Sequence, residues 1–267
     1  MKRQSALVTR LDVWLAENGL AESREKAQAL VMAGRVRVNG RPASKPGTRV
    51  GGCAEVTVAP GPSHVGRGAL KLAEALDAFA VDARGRVAVD VGASTGGFTE
   101  TLLARGATRV HAVDVGRGQL HERLRTDPRV VVLDRTNARS LTPAQIGEPC
   151  GIASVDISFI SATKILPALR SILAPGADVL ILVKPQFEVG RSQVGRGGIV
   201  KDPSLHRQAM RDVAEAAQGL GYAVRGACAS PITGAEGNRE FFLHLVPEGP
   251  ALGPGEIETL LRKAVEA

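Results

Sequence analysis

Apolar and polar positions follow two successive patterns along the chain, and the first of them covers residues 1–60. Apolar side chains recur at helical spacing over residues 9–20 and again over 23–34, and each run stops at a glycine. A strand-like alternation over 35–38 leads into an Asn-Gly dipeptide, which favours a hairpin turn, and more short strands are expected over 50–58. This pattern predicts a small α+β domain.

The second pattern alternates strand and helix segments, and it begins after a stretch typical of a linker. Residues 59–68 hold two prolines and three glycines, so we place a linker at 61–68 and a larger domain at 69–267. Alternating strands and helices predict an α/β fold with a mostly parallel, doubly wound sheet, which the last two strands close as a hairpin-like edge. The predicted strands are 86–91, 109–114, 129–133, 152–156, 178–184, 222–229 and 240–246, and the predicted helices are 69–79, 97–105, 118–125, 162–173 and 203–219.

The segment from Val87 to Glu100 predicts a cofactor site. An apolar run ends at Asp90, the small-residue turn Gly-Ala-Ser-Thr-Gly-Gly follows, and a helix pattern begins at Phe98. Such a strand, turn and helix form the ligand-binding corner of a doubly wound sheet, where glycine lets the backbone approach a cofactor closely. A glycine turn needed only for tight packing would have the same pattern.

Details of this turn favour S-adenosylmethionine over a dinucleotide. The turn lacks the second glycine of the dinucleotide fingerprint, and the sequence has no phosphate-binding GK[ST] motif. The next strand ends at Asp114, which can accept hydrogen bonds from a ribose diol in either cofactor. Asp90 is expected near the amino-acid end and the sulfonium of S-adenosylmethionine.

The distribution of charge indicates a nucleic-acid partner. The formal net charge is +7, and residues 1–60 contain ten basic and five acidic side chains. A basic domain favours a polyanion such as RNA, although an arginine-rich codon bias would raise the charge as well. The expected phosphate contacts are Arg24, Lys26, Arg35, Arg37 and Arg41, together with Arg67 in the linker.

Other features of the sequence argue against a metal-binding protein and against a membrane protein. The three cysteines are far apart and the five histidines lack ligand spacing, so we expect no metal site and a reducing compartment. The first residues lack the apolar core of a signal peptide, and no run is long enough to cross a bilayer. We therefore expect a cytoplasmic protein without stable membrane association and without an obligate protein partner.

Four ionisable residues are expected near the carboxyl ends of the strands. Asp156 and Lys184 each end an apolar strand, Glu240 opens a later one, and Lys71 lies in the helix before the glycine turn. Taken alone, each has an ordinary structural explanation, such as a solvated lysine or a loop cap. Together they suit methylation of a ribose 2′-hydroxyl, a weak acid that needs a nearby base or a strong cationic field. Which lysine would act as the base stays open.

Several motifs resemble those of known families. The stretch LDVWLAENGLAESREKAQALVMAGRVRVNG resembles the S4 RNA-binding domain. The motifs GRGALKL, DVGASTGGFTE, VDVGRGQL, DRTNAR, VDISFIS, LVKPQFEVG and GNREFF resemble the TlyA family of ribosomal RNA 2′-O-methyltransferases, whose members also carry the name hemolysin and whose catalytic domain is FtsJ-like. The resemblance extends over nearly the whole chain, in order.

The resemblance implies a Rossmann-like methyltransferase that uses S-adenosylmethionine and a catalytic tetrad of Lys71, Asp156, Lys184 and Glu240. The implied substrate is the 2′-hydroxyl of cytidine in 16S rRNA, 23S rRNA or both, with a link to capreomycin sensitivity. The residues implied to bind the cofactor are Asp90, Gly92, Ala93, Ser94, Gly96, Gly97, Phe98, Asp114 and Asn137.

Two other functions stay open at this point: a membrane-active hemolysin, and a non-catalytic RNA-binding factor in ribosome assembly. The chain also departs from the family in one place. Actinobacterial members often carry an aromatic residue in the linker, where this chain has His64. If the linker relays RNA binding to the cofactor pocket, that coupling can differ here.

Overall fold

The computed structural model describes residues 8–51, 53–59, 65–234 and 236–267. Contacts divide the chain into two units, residues 1–63 and 64–267. The first half of the predicted linker, His64 included, lies outside the described residues.

The smaller unit has two helices followed by short strands, as the sequence pattern predicts. The side chain of Ser23 accepts the Lys26 amide hydrogen at 3.2 Å and so caps the second helix. Asn39 and Gly40 both have positive φ, which closes the predicted hairpin. The elements are β1 (Thr9–Arg10), α1 (Leu11–Glu17), α2 (Arg24–Met32), β2 (Val36–Val38), β3 (Arg41–Pro42), β4 (Arg49–Val50) and β5 (Val56–Val58).

A buried carboxylate joins the two helices of this unit. Asp12 is fully buried and accepts hydrogen bonds from Arg10 at 3.0 Å, Arg24 at 3.1 Å and Gln28 at 2.8 Å. The Arg10 guanidinium, helped by Gln28 and Arg24, holds the pKa of Asp12 well below its usual range. The carboxylate therefore stays ionised and fixes two arginines that are themselves about half exposed.

The larger unit alternates strands with helices. Its strands are β6 (Val87–Val91), β7 (Arg109–Val113), β8 (Val130–Leu133), β9 (Cys150–Val155), β10 (Leu173–Val183), β11 (Ala223–Ala229) and β12 (Phe241–Val246). Its helices are α3 (Gly68–Ala78), α4 (Gly97–Ala104), α5 (Glu122–Arg125), α6 (Pro143–Ile146), α7 (Leu166–Ser171), α8 (Pro185–Glu188), α9 (Pro203–Gly219) and α10 (Pro254–Glu266). Short 3₁₀ turns lie at 138–140, 162–164, 191–193 and 196–198.

The strands of this unit form one seven-stranded sheet, in the order β11-β12-β10-β9-β6-β7-β8. The five strands from β10 to β8 are parallel, whereas β12 is antiparallel to both β10 and β11. The predicted doubly wound sheet with a hairpin-like edge is thus confirmed. Because β12 is antiparallel, it begins at the edge where the parallel strands end, and Phe241 pairs with Val183.

Alternating side chains along the strands build a core on each face of the sheet. Along β6, Ala88 lies in a core with Leu72 of α3 and Leu102 of α4. Its neighbour Val89 lies in the opposite core with Val213 of α9. Helices on both faces explain why the strands are apolar at successive positions.

Two helix predictions were wrong in extent. The helix predicted over 118–125 begins only at Glu122. Gly118 has φ +66° and donates its amide hydrogen to Asp134, so the first half of this segment is a loop. The helix predicted over 162–173 is divided into a 3₁₀ turn and α7.

Other elements also differ from the sequence analysis, and the short helices α6 and α8 are absent from the prediction. Strand β10 begins at Leu173 rather than at 178, with a register irregularity that hides the alternation at its start. Helix α10 is absent from the prediction, although Ile257, Leu261 and Val265 repeat at helical spacing and are buried.

Among the described residues, no helix is long and apolar enough to cross a membrane. The same part of the chain contains no group of three or more His, Cys, Asp or Glu side chains placed to hold a metal ion.

Candidate active site

The turn after β6 brings the backbone of two strand ends into close approach. Gly92 has φ +86°, and its amide donates a hydrogen bond to the Val113 carbonyl at 2.8 Å. A Cβ atom on Gly92 would lie 2.3 Å from the carbonyl oxygen of Asp156. A side chain at this position would force β6 and β9 apart, so the turn requires glycine here.

A cavity of about 320 Å³, which we call the Asp114 cavity, opens beside this turn. The Asp114 carboxylate accepts the amide hydrogens of Ser94 at 2.8 Å and Gly116 at 2.7 Å. Both oxygens keep further acceptor capacity, which suits the hydroxyls of a ribose diol. The walls also include Gly92, Asn137 and the segment that follows β9.

A second cavity of about 320 Å³, the Lys71 cavity, is lined by residues of the same turn and by Lys71. The two cavities share Gly92, Ser94 and Asp156 in their walls. Of the remaining predicted cofactor residues, Ala93, Gly97 and Phe98 line this second cavity. Gly96 lines neither; it has φ +100°, precedes α4, and packs against side chains of the Leu120–Leu124 region.

The four predicted catalytic side chains form two ion pairs. Lys71 Nζ donates to Glu240 Oε2 at 2.5 Å, and Lys184 Nζ lies 2.5 Å from Asp156 Oδ1. Lys71, Lys184 and Glu240 are each less than 10% exposed, and Asp156 is partly exposed. Lys71 and Asp156 line the same cavity. Amines and carboxylates are thus held in a desolvated setting where their charges act strongly.

The sheet topology explains how these distant residues meet. Asp156 follows β9 and Lys184 follows the neighbouring parallel strand β10, so both lie at the carboxyl edge. Glu240 precedes the antiparallel strand β12, and the pairing of β12 with β10 places it at that same edge. Lys71 comes from the first turn of α3, which packs beside α4.

The structure places Asp90 away from both cavity walls. Asp90 is fully buried, and its carboxylate accepts hydrogen bonds from Thr99 at 2.7 Å and Ser154 at 3.1 Å. These bonds connect β6, α4 and β9. Burial raises the pKa of Asp90 to about 7. We therefore propose a supporting role for Asp90 behind the cofactor turn, in place of the direct contact expected from the sequence.

Several of the arginines predicted to contact RNA already make hydrogen bonds to other groups of the chain. Arg35 donates to the Ala59 carbonyl, Arg37 to the Gly40 carbonyl and Arg24 to Asp12. A guanidinium has five N–H donors, so each retains donors for a phosphate. Lys26 and Arg41 are exposed on the same unit. In the larger unit, Arg67 donates to the Thr233 carbonyl at 3.0 Å and lines the Lys71 cavity.

Several wall residues were missed in the sequence analysis. The segment after Asp156, from Ile157 to Ile160, lines the Asp114 cavity together with Val115 and Gln119. Their position directly after predicted strand ends was a signal that could have identified them.

Comparisons with known proteins identify families that match both parts of the chain. Residues 64–246 match the FtsJ-like methyltransferase family, and residues 9–56 match the S4 domain. The 16S/23S rRNA (cytidine-2′-O)-methyltransferase TlyA of Mycobacterium tuberculosis is 49% identical over 96% of this chain and 97% of its own length.

Some relatives carry hemolysin names. Hemolysin A of Brachyspira hyodysenteriae is 36% identical over 89% of this chain and 99% of its own length. The solved structure of a candidate hemolysin from Streptococcus thermophilus is 40% identical, with a TM-score of 0.72, over 97% of this chain and 96% of that one.

The raised pKa of Asp90 predicts a pH-dependent stability. An unfolded Asp ionises near pH 4, whereas folded Asp90 ionises near 7. The folded state therefore loses stability as the pH rises from about 4 to 7, and the deficit stays constant above that. We expect Asp90→Asn to remove about 3 kcal/mol of the difference in unfolding free energy between pH 5 and pH 8.

Urea unfolding of wild type and of Asp90→Asn at the two pH values measures this difference, with circular dichroism as the signal. Asp77→Asn is the matched control, because Arg105 holds the pKa of exposed Asp77 below its usual value and its titration lies below this window. Equal pH dependence in wild type and Asp90→Asn would contradict the assignment.

Substitution of Gly92 tests the close approach of the two strand ends. We expect Gly92→Ala to lower the melting temperature and weaken S-adenosylmethionine binding about tenfold or more, because its Cβ overlaps the Asp156 carbonyl. Gly85→Ala is the control, since Gly85 has φ +74° but open space around a Cβ. Titration calorimetry and thermal unfolding compare the two variants. Equal losses in both would mean that backbone conformation, not the overlap, matters.

Proposed function

The chain belongs to the FtsJ-like methyltransferase family and carries an S4 domain, and from this premise we propose that it methylates the ribose 2′-hydroxyl of cytidine in ribosomal RNA. The methyl donor is S-adenosylmethionine and the substrates are 16S rRNA, 23S rRNA or both. The observation that carries the proposal is the pair of buried lysine–carboxylate contacts beside the glycine turn.

The two cavities fit the proposed cofactor. Asp114 offers acceptors for a ribose diol, and Asn137 lies in the same wall. The narrow turn from Gly92 to Gly97 supplies backbone close to the space shared by both cavities. When bound, S-adenosylmethionine supplies a methyl group on a sulfonium, whose C–S bond breaks as the new O–C bond forms, leaving a neutral thioether.

The four ionisable side chains would act on the RNA hydroxyl. A ribose hydroxyl must lose its proton to become an effective nucleophile, and a lysine amine can accept that proton or stabilise the developing oxyanion. Asp156 and Glu240 keep the two lysines in place and balance their charge. The proton moves from the reacting oxygen to one lysine amine in its neutral form, while the other, charged amine stabilises the developing oxyanion, and this transfer needs no metal ion.

The S4 domain would bind the RNA away from the reacting atom. Phosphate contacts by Arg24, Lys26, Arg35, Arg37 and Arg41 position the RNA without reading its bases. Arg67 would add a phosphate contact at the Lys71 cavity. Action on ribosomal RNA places the protein in the cytoplasm, and a link to capreomycin sensitivity stays a prediction.

Removing Lys184 tests the catalytic assignment. We expect Lys184→Ala to slow methylation about 100- to 10,000-fold, because the site loses one of its two amines. Cofactor binding and the melting temperature should change little. Mass mapping of ribose methylation in ribosomal RNA, with and without each protein, gives the readout, and Lys263→Ala removes an exposed lysine as the control.

Full activity in Lys184→Ala would remove this residue from the mechanism. The hemolysin names of two relatives require a parallel measurement with the same proteins. Liposome leakage caused equally by wild type and Lys184→Ala, without any ribose methylation, would instead favour a membrane-active protein. Absence of cofactor binding even with RNA present would favour a non-catalytic RNA-binding factor.

Binding to RNA should depend strongly on salt. Neutralising about four phosphates predicts that affinity falls about a hundredfold between 50 and 200 mM monovalent salt, because counterions are released on binding. Filter binding of the full chain to ribosomal RNA over this range gives the slope. Arg37→Gln should reduce the slope of log affinity against log salt concentration by about 1, the value of one phosphate contact. An affinity that does not change with salt would contradict a phosphate-binding S4 domain.

A further inference from the structure

The amine of Lys184 has two partners that hold it in different ways. Lys184 Nζ donates an aligned hydrogen bond to Ser158 Oγ at 2.8 Å. It also lies 2.5 Å from Asp156 Oδ1, but that oxygen has no hydrogen-bond partner with suitable angles in the described structure. The carboxylate thus attracts the amine by its charge, whereas the serine hydroxyl orients one N–H bond of the amine by accepting it.

The other buried lysine is held differently. Lys71 and Glu240 make one contact that is both an ion pair and an aligned hydrogen bond. Among the described residues, the structure gives Lys71 no hydroxyl acceptor comparable to Ser158. Only Lys184 therefore depends on a neutral side chain for its orientation.

Ser158 belongs to a segment that is braced against the residues following Lys184. The ring of Phe159 lies 5.3 Å from that of Phe187 in α8. Glu188, at the end of α8, accepts hydrogen bonds from Ser161 Oγ at 2.5 Å and from the Ala162 amide at 2.8 Å. These contacts fix the loop after β9 to the segment that begins with Lys184, so the distance between Ser158 and Lys184 is set by both.

We propose that Ser158 is a positioning residue for Lys184 in the methyl-transfer reaction. The proposal rests on the function proposed above and adds a residue outside the catalytic tetrad. Ser158 lines the Asp114 cavity and is exposed there, so it can hold the amine at the border between cofactor and RNA.

The number of donors on an amine explains why an aligned acceptor matters. A neutral lysine has two N–H bonds and one lone pair. The Ser158 hydroxyl accepts one N–H bond and fixes its direction, and the negative charge of Asp156 attracts the amine from another side, which leaves the lone pair for the substrate hydroxyl. With Asp156 alone, the amine could rotate about its Cε–Nζ bond and turn the lone pair away. In the charged amine, the bond to Ser158 directs one N–H bond and so leaves another free to face the developing oxyanion.

The test uses the full chain with ribosomal RNA and S-adenosylmethionine. We expect Ser158→Ala to lower kcat about 10- to 100-fold, with the RNA KM and the cofactor Kd within about twofold of wild type. The dependence of kcat on pH should differ from that of wild type, because Ser158 contacts an amine that acts on the hydroxyl. Ser158→Thr keeps the hydroxyl and should restore most of kcat. Ser171→Ala, at an exposed serine on α7, is the matched control.

The outcomes separate this inference from the proposed function. If wild type does not methylate RNA, the proposed function fails. If wild type is active and Ser158→Ala keeps its kcat and pH profile, only the role of Ser158 is overturned. A loss in Ser158→Ala that Ser158→Thr does not restore, or that comes with weaker cofactor binding, would indicate a role in loop structure and would also overturn it.

Discussion

The close approach of Gly92 to the carbonyl of Asp156 is the constraint on which the rest of the site depends. It joins the ends of β6 and β9, which are neighbours in the sheet but far apart in sequence. Gly92 and Asp156 line both cavities. The distance between the two strand ends therefore affects the shape of both cavities. Parallel strands deliver their carboxyl ends to one edge, and glycine permits the backbones to meet there.

Four charges can occupy this edge because they occur in pairs. An isolated amine or carboxylate with so little solvent exposure would lose its charge or destabilise the fold. Pairing Lys71 with Glu240 and Lys184 with Asp156 places an opposite charge beside each group, although replacing such pairs with apolar side chains often costs no stability. Their presence is therefore better explained by chemistry than by stability. Asp90 differs, since it is buried among hydroxyl donors without a cation and its pKa is raised.

The two units use charge in different ways. In the smaller unit, Asp12 is buried and ionised, and it holds Arg10 and Arg24 while leaving them about half exposed. Under the proposed function, Arg24 held in this way would lose less conformational entropy on binding a phosphate. In the larger unit the two lysine–carboxylate pairs are largely enclosed instead, where a low dielectric strengthens electrostatic interactions.

The sequence by itself determined the order and type of most elements. Helical and strand-like spacing reflects local geometry, so the alternating α/β pattern, the cap at Ser23 and the glycine turn could be predicted from neighbouring residues. Prediction from the local pattern failed where contacts with distant residues decide the conformation. At Gly118, a hydrogen bond to Asp134 holds the first half of a predicted helix in a loop.

Only the tertiary structure decided which side chains meet. Lys71 and Glu240 are 169 positions apart, and their contact depends on β12 being antiparallel. Sheet order also turned Asp90 toward Ser154 and brought Ser158 to Lys184. Periodicity records which face of an element is apolar. The partner across that face is set by strand order and direction, because these are properties of the whole sheet and not of any one segment.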